Sequence, residues 1–500
     1  MTSVVSDADP VLQAQAERTL SAVPTGLLIA GVWTESNEGS TIHIENPATG
    51  QRLARVCDAK AADGIRALDA AASAQARWAE TSPSQRSDFL RRAHNRLLQD
   101  IEAFAALITL EMGKSLTEAR AEVKYAADFL RWFSEEASRI QGRYQRAPSG
   151  GLHHLISHRP VGPALLITPW NFPLAMIARK VGPALAAGCT MVVKPSELTP
   201  LTALFFAEAM RDLGLPNGVL NVITTSNAPG VVEPLIADPR LRKLSFTGST
   251  RVGKILLAHA AQSVLRCSME LGGNAPFIVF EDADMDRVID GALFAKMRNI
   301  GQACTAANRF FVHESRAEEF GRRIASAVDA LPIGNGMTET AVTGPLITGT
   351  ARRNMQDLVQ SAVVGGARLL AGGEVVPGPG NYFRPVVLAD PPADAAVLHT
   401  EIFGPILPIC TFRTEAEVID RANDTPYGLA AYAFTEDLSR GHRLAARIEA
   451  GMLGLNTGQI SDPAAPFGGV KHSGIGREGS VEGVMEYLNI QYAGLAISAA

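Results

Sequence analysis

Cysteine is scarce in this chain, and its spacing excludes more than its number does. Five cysteines, Cys57, Cys189, Cys267, Cys304 and Cys410, are scattered over 500 residues. They form no C-x-x-C and no Cys/His ligand spacing, so neither a disulfide framework nor a zinc site is indicated. A reducing compartment is the natural setting. Long apolar runs are missing too, since none approaches the ~18 residues needed to span a bilayer. The opening stretch M-T-S-V-V-S-D-A-D-P carries two acids and no base before Arg18, unlike secretory or mitochondrial leaders. Cytoplasm is the expected location. Nor is one sign of charge in excess: the formal net charge of −5 points to no nucleic-acid or membrane partner. An internal repeat and a low-complexity linker are likewise lacking, and the glycine loop at Gly248 is not a dinucleotide G-x-G-x-x-G.

At about 150 residues per domain, the length predicts two to four domains. Residues 1 to about 23 read as a loosely tethered polar lead-in. Short alternating runs from Leu27 to Arg55 read as strands. From Ala59 to Ile140 apolar residues recur at helical spacing, with T-S-P-S supplying an N-cap. Tyr144 to Arg159 reads as a projecting hairpin. Its histidines His153, His154 and His158 have no acidic or cysteine partner nearby and read as solvated positions rather than a metal site. Val161 to Ala275 alternates strand and helix, the rhythm of a doubly wound parallel sheet. A second α/β unit runs from Pro276 to about Ala465. The tail E-Y-L-N-I-Q-Y-A-G-L reads as an edge strand wanting a neighbour, and therefore as an oligomer contact.

The stretch N-I-G-Q-A-C-T-A-A-N-R, Asn299 to Arg309, sets Cys304 among small and polar residues. Such open space suits a nucleophile, whereas inert cysteines more often sit among large apolar side chains. Glu270 ends an apolar strand beside two glycines, where a carboxylate can have a raised pKa and act as a general base, or simply be a solvated strand end. Asn171, in P-W-N-F-P, is an amide fixed by a rigid turn. It suits donation to an oxyanion, or turn formation alone. Gly248 to Gly253, followed by Lys254, comes within one residue of a P-loop, but Ile255 stands where the Mg²⁺-binding hydroxyl belongs. A nucleotide-hydrolysing protein is thus the rival class, and a silent binding protein on the same fold is another.

Taken in order, P-W-N-F-P, K-P-S-E, F-T-G-S-T, E-L-G-G-N-A-P, G-Q-A-C-T, E-I-F-G-P and P-F-G-G-V-K-H-S-G-I-G-R-E-G resemble the NAD(P)-dependent aldehyde dehydrogenase superfamily, from about Leu27 to Ala496. Within it the chain is most similar to succinate-semialdehyde dehydrogenases. The resemblance implies an α/β fold of two doubly wound parallel-sheet domains plus a small β oligomerisation element. Residues 24–142 and 160–271 would bind the dinucleotide, 272–470 would be catalytic, and 143–159 with 484–500 would be the oligomerisation hairpin and tail of a homodimer or homotetramer. It also implies that Cys304 attacks the aldehyde to give a thiohemiacetal and then a thioester, with Asn171 holding the oxyanion and Glu270 activating water. Trp170, Lys194, Ser196, Glu197, Gly248, Ser249, Leu271, Glu401 and Phe403 would contact the cofactor. Glu197 favours NAD over NADP, because a carboxylate accepts from ribose hydroxyls and repels a 2′-phosphate. Arg179, Arg309 and Ser461 would grip a substrate carboxylate. Two departures stand out. Ala306 replaces a second cysteine common in the relatives, and Gln459 stands where an apolar residue is common. The latter leaves glutarate semialdehyde, another ω-oxo acid or an uncharged aldehyde as alternative substrates.

Overall fold

The strand Lys243–Thr247 lies inside an eight-stranded sheet, parallel to Arg266–Glu270 on one side and to Ala164–Ile167 on the other. Met191–Lys194 and Leu220–Val222 continue the parallel run. Four of these five strands are buried from end to end, as β-rich apolar runs covered on both faces must be. Antiparallel strands close the two edges: Leu27–Ile29 with Val32–Thr34, and Gly474–Ile475 against Arg266–Glu270. This computed structural model describes residues 8–340, 343–374 and 376–496.

The helix Pro173–Ala187 has no polar face, because every residue in it is buried. It is sandwiched between the sheet and the helices Pro83–Gln99 and Leu116–Glu136. Proline at its first position and left-handed Gly188 after its last (φ +89°) fix its two ends. Ser82, from the T-S-P-S break, accepts from the backbone N–H of Gln85 and caps Pro83–Gln99 as expected.

A second sheet of seven strands is ordered Arg368–Ala371, Val386–Ala389, Ile406–Phe412, Ala307–His313, Ala275–Val279, Ala430–Phe434, Met452–Leu455. All its pairs are parallel except the first. Only four residues separate Glu270, the end of a strand in the first sheet, from Ala275, the start of one in the second. Cys304 comes three residues before Ala307, which pairs with Ala275. The crossing between sheets therefore brings the two motifs together.

Three expectations change. The lead-in is not loose where it is described: Pro10–Ser21 is a helix, capped by Asp9 and packed against Ile101–Met112. Residues 1–7 lie outside the described residues. The tail strand Leu488–Leu495 finds its neighbour in its own chain, pairing antiparallel with His153–Pro160 of the hairpin. It remains the edge of that three-stranded sheet, and residues 497–500 of the expected tail lie outside the description. Finally, Gly253 is no phosphate cradle. It sits inside the helix Thr250–Gln262, where a Cβ would lie 2.4 Å from a Leu271 methyl carbon, and Lys254 is exposed. The P-loop reading falls with it. Among the described residues no helix is long and apolar enough to cross a membrane.

Candidate active site

Cys304 is delivered by a strained turn. The helix Met285–Met297 stops, and Asn299, Ile300 and Gly301 then take φ of +55°, +61° and +71°. For a β-branched residue such as Ile300 this is a costly conformation, kept only where surroundings over-determine it. They do so here. The Asn299 N–H donates to Glu118 Oε1 at 2.6 Å, its side-chain amide donates to the carbonyls of Asn171 and Gln302 at 2.9 Å, and Gln302 Oε1 accepts from the Ile347 N–H at 3.0 Å. The thiol that follows is half-buried. Burial pushes it up to about 12, Arg179 and Arg298 oppose that, and Glu401 and Glu270 add to it. All four charges act on the sulfur, so the turn has set it where both sheets' motifs converge.

Asn171 is buried beside it and donates one amide hydrogen to the Gln302 carbonyl at 3.0 Å. The second hydrogen of that amide is free for another acceptor. The Asn171 backbone carbonyl accepts from Lys114 Nζ at 2.9 Å, and Lys114 is paired with fully buried Glu122, so the turn is anchored from below. Glu270 is 1% exposed, and neither carboxyl oxygen has a hydrogen-bond partner among the described residues. Burial raises it well above the ordinary carboxylate range, Glu478 reinforces that, and Arg179 and Lys180 oppose it. A Cβ on Gly468 would stand 2.8 Å from Glu270 Oε1, so the glycine there makes room for the acid.

A crevice opens at the carboxyl ends of the first sheet's strands, the place where such sheets bind ligands. Lys194 ends its strand, Trp170, Ser196, Glu197, Gly248 and Ser249 follow such ends, and Ser249 caps Thr250–Gln262. Lys194 Nζ and Glu197 Oε2 lie 3.2 Å apart, a donor and an acceptor at one spot suited to a ribose diol. Thr247 Oγ1 is buried without a partner among the described residues. From the other sheet Glu401 reaches over, with Oε1 accepting from the Gly273 N–H at 3.1 Å and Oε2 within 2.5 Å of where a Gly272 Cβ would be. Burial raises its carboxyl to about 7. Phe403 meets Trp170 edge-on at 5.4 Å, and Leu271 packs in the core beneath. These groups fit a nicotinamide dinucleotide. Replacing Glu197 with glutamine is expected to raise kcat/KM for NADP⁺ relative to NAD⁺ by about tenfold, the effect of one partly screened like-charge contact; steady-state rates with both cofactors measure it.

A cavity of about 520 Å³ is lined by Glu118, Tyr125, Phe172, Phe294, Arg298, Gln459 and Ser461, and Arg298 on its wall is one of the charges that act on the Cys304 sulfur. Arg298 lies over the rings of Phe172 at 4.8 Å, Tyr125 at 5.9 Å and Phe294 at 6.0 Å. It makes no ion pair or hydrogen bond among the described residues. Arg179, fully buried, is engaged by the Glu478 carboxylate and lies 4.1 Å over Phe467. The buried Tyr125 hydroxyl, beside Arg179 and Ser461, is raised by burial.

Arg309 must be corrected. Its guanidinium donates to the carbonyls of Asn274, Arg421 and Ala422 at 3.1, 2.9 and 2.8 Å, so it ties its strand to the crossing loop and to the end of the helix Glu415–Asn423, and it does not line the cavity. The guanidinium that does is Arg298, which sequence reasoning passed over. Phe294 lies in the last turn of the helix Met285–Met297 and Arg298 directly follows it; an arginine just past an aromatic in a closing helical turn was the available signal. A wider open cleft of about 1260 Å³ along the helices Ala61–Glu80 and Pro83–Gln99 contains none of these residues.

Comparison with known proteins agrees with this geometry. Residues 33–493 match the model of the aldehyde dehydrogenase family. The chain is 56% identical to the succinate-semialdehyde dehydrogenase of Paenarthrobacter nicotinovorans, over 89% of this chain and 99% of that one. It is 46% identical to the glutarate-semialdehyde dehydrogenase of Pseudomonas putida, over 94% and 97%. Among solved structures, betaine aldehyde dehydrogenase from Staphylococcus aureus in complex with NAD⁺ superposes with a TM-score of 0.94 at 32% identity, covering 97% of each chain.

Proposed function

The chain belongs to the aldehyde dehydrogenase family, and from that premise we propose that it oxidises succinate semialdehyde to the dicarboxylic acid with NAD⁺ in preference to NADP⁺. It is an NAD(P)-dependent oxidoreductase acting on a small aldehyde. The observation that carries the substrate is Arg298, a guanidinium ringed by aromatics and bound to no protein carboxylate. Such a group binds a carboxylate through paired N–H donors, and the low-dielectric rings strengthen the contact. Ser461 and Tyr125 add hydroxyls at the same end.

With the carboxylate held there, the aldehyde carbon meets Cys304. The half-exposed thiol releases its proton to solvent as the C–S bond forms, and the oxyanion accepts from the free Asn171 amide hydrogen and the Cys304 backbone N–H. Bound NAD(P)⁺ supplies the acceptor for the aldehyde hydrogen, held by Lys194, Glu197 and Glu401. Glu270, once deprotonated, takes a proton from the water that hydrolyses the Cys304 thioester. Glutarate semialdehyde is the second reading, favoured by the cavity's volume and by Gln459 on its wall. The free edge of Leu488–Leu495 and exposed Ile490 and Tyr492 on it support assembly into a homodimer or homotetramer. Five unpaired cysteines support a reducing compartment, the cytoplasm.

Replacing Arg298 with leucine is expected to lower kcat/KM for succinate semialdehyde by about 10²-fold and for butyraldehyde by less than about threefold, the size of a lost charge-assisted bidentate contact. Equal losses on both aldehydes would remove the argument.

A further inference from the structure

Lys296 takes no part in the chemistry above, yet it is fully buried in the helix Met285–Met297. Among the described residues no carboxylate pairs with it, and its one hydrogen bond goes to Asn308 Oδ1 at 2.8 Å. Burial alone pushes its amine down to about 7. An amine buried without a counter-charge destabilises a fold, and a methionine of similar length would fill the space without that penalty.

Asn308 is unusual in its own right. Where Ala307–His313 pairs with Ala275–Val279, Ala275 faces Ala307 and Pro276 faces Arg309, so Asn308 is the extra residue of a bulge. Bulges re-aim side chains near active sites. Its Nδ2 donates to the Gly273 carbonyl at 3.5 Å, the longest link, and the Gly273 N–H in turn donates to Glu401 Oε1 at 3.1 Å. Gly273 lies directly on the nucleophile's backbone, since a Cβ there would stand 2.4 Å from the Cys304 carbonyl oxygen. A continuous path thus runs from the helix Met285–Met297, past the Cys304 backbone, to the carboxylate that overhangs the cofactor crevice.

We propose that Lys296 is a positioning residue which, through Asn308, seats the Gly272–Gly273 turn against the Cys304 loop and so fixes the thiol relative to Glu401. The proposal rests on Cys304 being the nucleophile. The demand on geometry is severe, because a displacement of about 1 Å at reacting atoms can lower a rate about 10²-fold.

The test compares Lys296→Met and Asn308→Asp with the parent full-length enzyme. Asn308→Asp gives the amine a counter-charge but removes the donor to Gly273, so it separates stability from positioning and decides the matter if Lys296→Met fails to fold. In both variants the rate of Cys304 alkylation by iodoacetamide, measured without cofactor, is expected to change about threefold or more as the thiol's seat loosens. The turnover per titrated thiol should fall about tenfold or more with KM for the aldehyde within about threefold, and the primary isotope effect with 1-deuterated aldehyde should rise. Asn308→Asp should melt no lower than the parent. A merely structural role predicts a lower melting temperature or active fraction with alkylation rate per folded molecule and isotope effect unmoved, and that result overturns the proposal. Undiminished NADH formation by Cys304→Ala would instead sink the nucleophile on which it stands.

Discussion

Changing Cys304 to alanine should abolish aldehyde-dependent NADH formation, a loss of roughly 10⁴-fold or more, because the proposed covalent adduct forms on that sulfur. The magnitude follows from the surroundings. Burial raises the thiol to about 12, so in the resting protein it is protonated at neutral pH, and the reaction depends on forming the C–S bond as that proton leaves. Arg179 and Arg298 are the cations that act on the sulfur, the former closely matched by Glu478. Neither can replace it. Removing one sulfur from a half-buried position leaves NAD⁺ affinity within about twofold and the melting temperature nearly unchanged, since such a small truncation is mild. Calorimetric titration with NAD⁺ beside a stopped-flow trace at 340 nm checks both halves. A variant that still produces an NADH burst would show that the sulfur is not the attacking atom.

That the open setting of Cys304 was legible before the structure, while the guanidinium facing the cavity was not, has a physical answer. Cys304, Glu270 and Asn171 each sit in a short string of small or rigid residues, and the backbone geometry that presents them is local. Gly272 and Gly273 make space for Glu401 and for the Cys304 carbonyl, and the prolines of P-W-N-F-P fix the turn ahead of a helix with proline at its first position. The strand–helix rhythm was readable for a similar reason, because buried parallel strands are continuous apolar runs. Arginine direction is not local. Arg298 and Arg309 flank the same cysteine, but one ends a helix beside three aromatic rings and the other enters a strand whose neighbours offer bare carbonyls. Only the crossing from one sheet to the other decides which guanidinium meets the cavity. The N-terminal helix was missed because its sequence is weakly amphipathic, with Ala16 its one buried residue. Its cap at Asp9 and Pro10 was the signal available.

Glu270→Gln should separate the two halves of the reaction. The variant is expected to release about one NADH per active site and then stall, with steady-state turnover lowered roughly 10²- to 10⁴-fold, the contribution of a general base to a proton transfer. Nothing in the carboxyl group's surroundings provides a substitute, because both its oxygens are without partners among the described residues and Lys180 is occupied by Ser245 and Glu478. The same burial sets the pH dependence. A carboxyl raised well above its ordinary range is protonated, and idle as a base, at a pH where a solvated glutamate would be ionised. Where hydrolysis limits turnover, kcat therefore rises with pH through that raised value and levels off above it, and the rise disappears in Glu270→Gln. Arg179 and Lys180 pull the carboxyl back toward ionisation, while Glu478 resists. Neutralising Glu478 should accordingly shift the inflection to lower pH. Rapid-quench samples read by intact mass would show the protein carrying one acyl group during the stall. Turnover at the parent rate, with no acyl-protein accumulating, would mean that some other group prepares the water.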